Sequence, residues 1–164
     1  MAIFSLNEVR TEQIKNIAND NFESWPESAT YGYFGGGQNT IQTVDRIDFS
    51  NETTSAPGNN LVEGRNGLAA TGNSNFGYFG GGTPSPGGLI ERIDFSNETI
   101  SAPGDNLSSN IGLAAVSSSS YGYFGGGGWP GGYDTIKRID FSNETTSPVT
   151  ATLSQGRNHL AAVS

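Results

Sequence analysis

The rhythm of apolar and polar positions changes near residue 31. Before it, Leu6, Val9, Ile14 and Ile17 fall within about half of a helical wheel, with Glu8, Glu12 and Lys15 largely opposite. Ser5 followed by Glu8 fits a capping box, in which each side chain satisfies a backbone amide of the first turn. The pattern predicts a helix running to about Asn19, and Trp25-Pro26 closes the segment because a residue before proline is pushed into extended geometry. A lone helix of about 14 residues is marginal in water. Its apolar stripe is therefore expected to dock on the rest of the chain, on copies of itself or on another protein.

From Tyr31 the period becomes that of strands, and it repeats. Tyr31-Gly32-Tyr33-Phe34-Gly35-Gly36-Gly37 returns at Phe76–Gly82 and at Tyr121–Gly127, with 45 residues from Gly35 to Gly80 and again from Gly80 to Gly125. Arg46-Ile47-Asp48-Phe49-Ser50-Asn51-Glu52-Thr53 returns at Arg92–Thr99 and Arg138–Thr145, and Leu68-Ala69-Ala70 at Leu113–Ala115 and Leu160–Ala162. Self-similarity at this period marks a repeat architecture. Each unit reads as four strands. The first is aromatic and ends in a glycine triplet, where glycine-only φ values mark an exit from the strand. The second alternates Ile47 and Phe49 with Arg46 and Asp48, a turn at Ser50–Thr53 opens a short third strand, and small residues at Gly67–Thr71 form the fourth. The expected fold class is all-β: three four-stranded units at about 31–75, 76–120 and 121–164, preceded by a helical docking or oligomerisation segment at 1–30.

The order Arg65, Leu68-Ala69-Ala70, Phe76-Gly77-Tyr78-Phe79-Gly80-Gly81, Ile93-Asp94-Phe95 and Asn97-Glu98-Thr99 resembles the kelch repeat. The resemblance covers roughly residues 31–164. It departs where Thr54, Ile100 and Thr146 stand in place of the usual outer-strand tryptophan, and where Ser109-Asn110 stand in the place of Arg65. The wording of the repeats is also similar to kelch-like repeats in structural proteins of tailed bacteriophages, including those of marine cyanobacteria. The resemblance implies β-propeller blades, with His159–Ser164 as the missing partner of Tyr31–Gly35. Propellers usually have about 4–8 blades. Three therefore imply completion by a second chain, by further blades of a longer protein, or an open arc inside a multimer, and a homo-oligomer is expected.

Composition narrows the chemistry. Eight Lys and Arg against sixteen Asp and Glu give a net charge of −8, which repels phosphate backbones, so no nucleic-acid partner is expected. No apolar run approaches the roughly 20 residues of a membrane span. The first residues lack the basic and apolar regions of a secretory signal, so a soluble chain made in the host cytoplasm is expected. There is no cysteine, and His159 is the one histidine. Metal binding and acid–base work normally need partners for it, so neither metal nor cofactor is expected. Galactose oxidase carries kelch-like blades, but its copper and radical site needs histidines and a cysteine-linked tyrosine that this chain lacks. No Gly-x-Ser-x-Gly elbow is present. The glycine triplets are not followed by the helix and lysine of a phosphate loop. Arg46, Arg92 and Arg138 with Asp48, Asp94 and Asp140 read as a ladder of ion pairs or turn bonds rather than three active sites. The Asn-x-Thr triplets at Asn51, Asn97 and Asn143 read as turns.

What differs between units is the loop after each glycine triplet, with 8, 9 and 10 residues before the next Arg. Differences between repeats concentrate on loops of one face, often the binding face. Trp129, Tyr133 and Asp134, an aromatic pair beside a carboxylate, suit stacking and hydrogen bonding to a sugar, and Gln38 and Asn39 occupy the corresponding loop of the first unit. The functional expectation is a non-enzymatic virion protein, a tail fibre or appendage anchored by residues 1–30. Its partners would be other tail proteins, its own copies and a host surface glycan or protein. The alternative is a cellular kelch-type adaptor that binds a protein through the same loops.

Overall fold

The computed structural model describes residues 29–84, 88–107 and 111–164. The expected helix with Leu6, Val9, Ile14 and Ile17 lies outside the described residues. Among the described residues the chain is all-β, in three antiparallel sheets with no helix. The first sheet contains β1 (Tyr31–Gly35), β2 (Val44–Asp48) and β3 (Thr53–Ser55) in that order. The second contains β4 (Asn66–Gly72), β5 (Phe76–Thr83), β6 (Ile90–Asp94) and β7 (Ile100–Ser101). The third contains β8 (Leu113–Ser117), β9 (Tyr121–Gly126), β10 (Tyr133–Asp140) and β11 (Thr146–Arg157). Within each sheet every strand pairs with its sequence neighbour, as direct connections between antiparallel strands allow.

The registers repeat with the sequence. Tyr31 faces Asp48, Phe76 faces Asp94 and Tyr121 faces Asp140. Leu68 faces Gly81 as Leu113 faces Gly126. The core lies between sheets. Phe79 of the second sheet joins Val44, Leu61 and Ile93, while Phe124 of the third joins Tyr78, Ile90, Leu107, Leu113 and Ile139. Glycine makes room for both phenylalanines: a Cβ on Gly35 would stand 2.9 Å from the Phe79 ring, and one on Gly80 would stand 2.7 Å from that of Phe124. These spacings are too short for any side chain, so the repeated glycine belongs to the stacking of one sheet on the next.

Three expectations need correction. The second glycine triplet does not leave its strand, because β5 continues to Thr83 with left-handed φ at Gly81 and Gly82. The last outer strand is not short: β11 has 12 residues against 3 in β3. Most consequentially, His159–Ser164 forms no strand and does not pair with β1, leaving the first sheet three-stranded. The physical reason is where this segment is held. His159 N–H bonds the Gly112 carbonyl at 2.7 Å, just as Gly112 N–H bonds that of Gly67 at 2.7 Å. His159 also takes the left-handed φ (52°) that Gly67 (65°) and Gly112 (71°) take at the corresponding positions. Leu160 covers Gly126 beside the Arg157 carbonyl, as Leu68 covers Gly36 beside that of Arg65. The C-terminal segment thus sits one sheet step beyond the third sheet and does not return to the first.

Candidate interaction surface

The two ends of the sheets differ in how their polar groups are used. At the β2–β3 turn, Asp48 accepts from Ser50 N–H (2.8 Å) and Ser50 Oγ (2.6 Å), and Asn51 Oδ1 accepts from Thr53 N–H and Oγ1. The same bonds recur at Asp94 with Asn97 and at Asp140 with Asn143. The repeated triplets are therefore turns, as expected. Sequence did not reveal that Glu52, Glu98 and Glu144 hold left-handed φ values of 58°, 59° and 58°. That conformation aims two of these carboxylates at the preceding sheet. Glu98 accepts from Arg46 Nη1 (2.7 Å) and Tyr33 OH (3.0 Å); Glu144 accepts from Arg92 Nη1 (2.8 Å) and Tyr78 OH (3.1 Å). Tyr33 stacks on Phe95 at 5.3 Å and Tyr78 on Phe141 at 5.2 Å. Arg46 and Arg92 thus form ion pairs between sheets, while the repeated aspartates form the turn bonds. The sequence signal was the glutamate recurring in step with the arginine, but only stacked sheets bring the two within reach.

These contacts set the response to pH. Burial, followed by the hydrogen bond to Glu98, pushes the Tyr33 hydroxyl up to about 12 from 10.0. The folded state holds this proton more tightly than the unfolded chain. Its contribution is fully present below pH 10 and disappears as pH rises towards about 12. Asp48, Asp94 and Asp140 are held below their ordinary value, first by the serine hydroxyls. Their contribution is present above pH 3.8 and is lost as pH falls through the lower folded values. Thermal midpoints measured across pH should therefore fall at both extremes, and Tyr33→Phe should remove part of the alkaline loss. An alkaline limb identical in wild type and variant would refute this assignment.

At the opposite end, the post-triplet loops are tied down by backbone. Gly37 N–H bonds Arg65 O at 2.9 Å and Gly127 N–H bonds Arg157 O at 2.9 Å. Tyr133 N–H closes onto Gly127 O at 2.7 Å, Asn158 Nδ2 reaches Gly128 O at 2.7 Å, and the Tyr133 ring lies over Gly128. On this frame Trp129, joined to Pro130 by a cis bond, is 75% exposed and Tyr133 is 50% exposed. Asp134 is exposed at the start of β10. The third-sheet loop therefore presents all three residues outward on one connection. Gln38 and Asn39 are also exposed, on the β1–β2 connection, where Asn39 and Thr40 both take left-handed φ. Among the described residues no cluster of three or more His, Asp or Glu side chains is placed to hold a metal.

Near these loops lies a buried ion pair of which sequence reading singled out only Arg65, as the opening residue of the kelch-like order, and not its partner Glu91. Arg65 and Glu91 are both fully buried and paired through Nη2 and Oε2. Arg65 Nη1 also donates to the Gly81 and Leu89 carbonyls at 2.6 Å, and Glu91 accepts from Val62 N–H. Its signal in the sequence was a joint departure from the repeat. The third sheet has Lys137 opposite Phe124, where the second has Glu91 opposite Phe79, and no arginine lies between Asp105 and Leu113. Among the described residues no helix is long and apolar enough to cross a membrane. No protein-family model matches the chain, and a search of curated proteins finds no match.

Proposed function

We propose that the chain is a non-enzymatic structural and binding protein of a phage particle. In this reading its three sheets are kelch-like propeller blades, carried on a tail fibre or tail appendage, with residues 1–30 as the attachment to the particle. The observation that carries the non-catalytic part is the use made of the repeated polar side chains. The arginines of the first two sheets, the glutamates they meet, and all three turn aspartates, asparagines and serines are engaged in holding turns or joining sheets. Among the exposed side chains, Trp129, Tyr133 and Asp134 belong to the loop that varies between units. An aromatic pair with a carboxylate on a backbone-anchored loop presents a rigid surface, which keeps the ordering cost of binding low. A host glycan or surface protein is the ligand such a loop fits. The phage setting rests on the resemblance of the repeat wording to virion kelch-like repeats.

The test has two arms. Cryo-microscopy of particles carrying an epitope on this chain should place it on the tail, and Trp129→Ala with Tyr133→Ala should cut adsorption to host cells at least tenfold while leaving assembled particles intact. Absence from particles, combined with capture of a host protein that depends on the same two residues, would move the reading to the cellular adaptor.

A further inference from the structure

The outer faces of the first and third sheets are complementary to each other, and the boundary between the first and second sheets shows how they match. There the first sheet supplies Arg46 to Glu98 and stacks Tyr33 on Phe95. Gly35 receives the Phe79 ring, and Arg65 reaches Glu91. The third sheet carries the same supplying set. Arg138 lies over the Tyr121 ring at 4.4 Å, posed as Arg46 is over Tyr31 at 4.5 Å, yet it has no ion-pair partner among the described residues. Arg157 occupies the place of Arg65, because its carbonyl accepts from Gly127 as that of Arg65 accepts from Gly37. Its side chain is exposed, whereas that of Arg65 is fully buried.

The first sheet carries the receiving set, equally unused. Glu52 has the left-handed backbone of Glu98 and Glu144 but is exposed and pairs with no arginine among the described residues. Phe49 is 54% exposed and Phe34 is 66% exposed, whereas Phe79 is 3% exposed. Asp45 faces Phe34 across the strands as Glu91 faces Phe79. The charges make the match specific. At the Arg65–Glu91 position an arginine and an acid occur together at the first boundary, whereas the equivalent position of the second boundary has neither, with Lys137 in the acid's place. On the outer faces they occur together again, as Arg157 and Asp45.

We propose that the third sheet of one copy docks on the first sheet of a second copy. Arg138 then pairs with Glu52 of the second copy, Arg157 with its Asp45, and Tyr123 stacks on its Phe49. Phe34 of that copy fills the space at Gly125. The segment Leu160-Ala161-Ala162, already held one step beyond the third sheet, becomes the missing fourth strand along β1, in the register by which Leu68 faces Gly81. The interface joins unlike faces, so it must close into a ring or grow into a filament. With three sheets per copy, two copies close a ring of six, within the usual range for propellers.

Native mass spectrometry and sedimentation of the full chain should show twice the 17.2 kDa of one copy. Arg138→Glu places like charges at both junctions of the ring and should return the mass to one copy with an unchanged circular dichroism spectrum, and Glu52→Arg alone should do the same. Combining Arg138→Glu with Glu52→Arg in one chain reverses the pair and should restore the dimer. A wild-type chain that stays at one copy overturns the proposal, as does an assembly indifferent to either single substitution. So does failure of the folded double variant to reassemble.

Discussion

Arg65→Ala is expected to lower the unfolding free energy by about 3–5 kcal/mol, read as a shift in urea midpoint at unchanged slope. The size follows from what the substitution leaves behind. Glu91 stays fully buried with its cation gone, and the Gly81 and Leu89 carbonyls each lose a charged hydrogen bond. Arg157→Ala is the internal control, because that side chain is exposed and its removal should cost the isolated chain less than about 0.5 kcal/mol. Replacing both members of a buried pair by apolar residues is often neutral. Here Arg65→Leu with Glu91→Leu should recover only part of the loss, since Val62 N–H and the Gly81 carbonyl lose partners that leucine does not supply. Full recovery by the double variant would mean that these backbone groups find water, and that the pair itself is the whole of the effect.

Within each sheet, the strand order was legible from residue 31 onward because local rules fix it. Alternation at Ile47 and Phe49 selects a strand, Ser50-Asn51 selects the turn, and the next strand can only fold back beside the last. What sequence did not show is which residues meet across sheets. Arg46 lies beside Asp48 in the chain, and a ladder built from neighbours was the natural expectation, yet its carboxylate comes from Glu98 in the next sheet. The left-handed glutamate that makes this possible is a position where glycine or asparagine is favoured, so no propensity argument flags it. The expected return of His159–Ser164 to β1 failed for a related reason. The repeat correctly matched this segment to Leu68–Thr71, but the stacking of sheets, through Gly112 and Gly126, decides where in space the match is made. The candidate loop was legible for the opposite reason. Trp129 and Tyr133 depart from the repeat, and here the departures lie on the surface.

The same phenylalanine in two repeats should give opposite results on truncation. Phe124→Ala is expected to cost about 3–5 kcal/mol, because the ring is 3% exposed among Tyr78, Ile90, Leu107, Leu113 and Ile139 and sits against Gly80, which offers no side chain to collapse into the gap. Phe34 is the corresponding residue of the first sheet and is 66% exposed. Measured in the Arg138→Glu background, where the chain is expected to be single, Phe34→Ala should change stability by less than about 0.5 kcal/mol. In the otherwise wild-type chain it should instead weaken association and make the thermal midpoint more dependent on protein concentration. A large loss for Phe34→Ala in the single chain would place its ring in a core made by other residues of the same molecule. No effect in either background would leave the outer face of the first sheet without the aromatic contact that joins each of the inner boundaries.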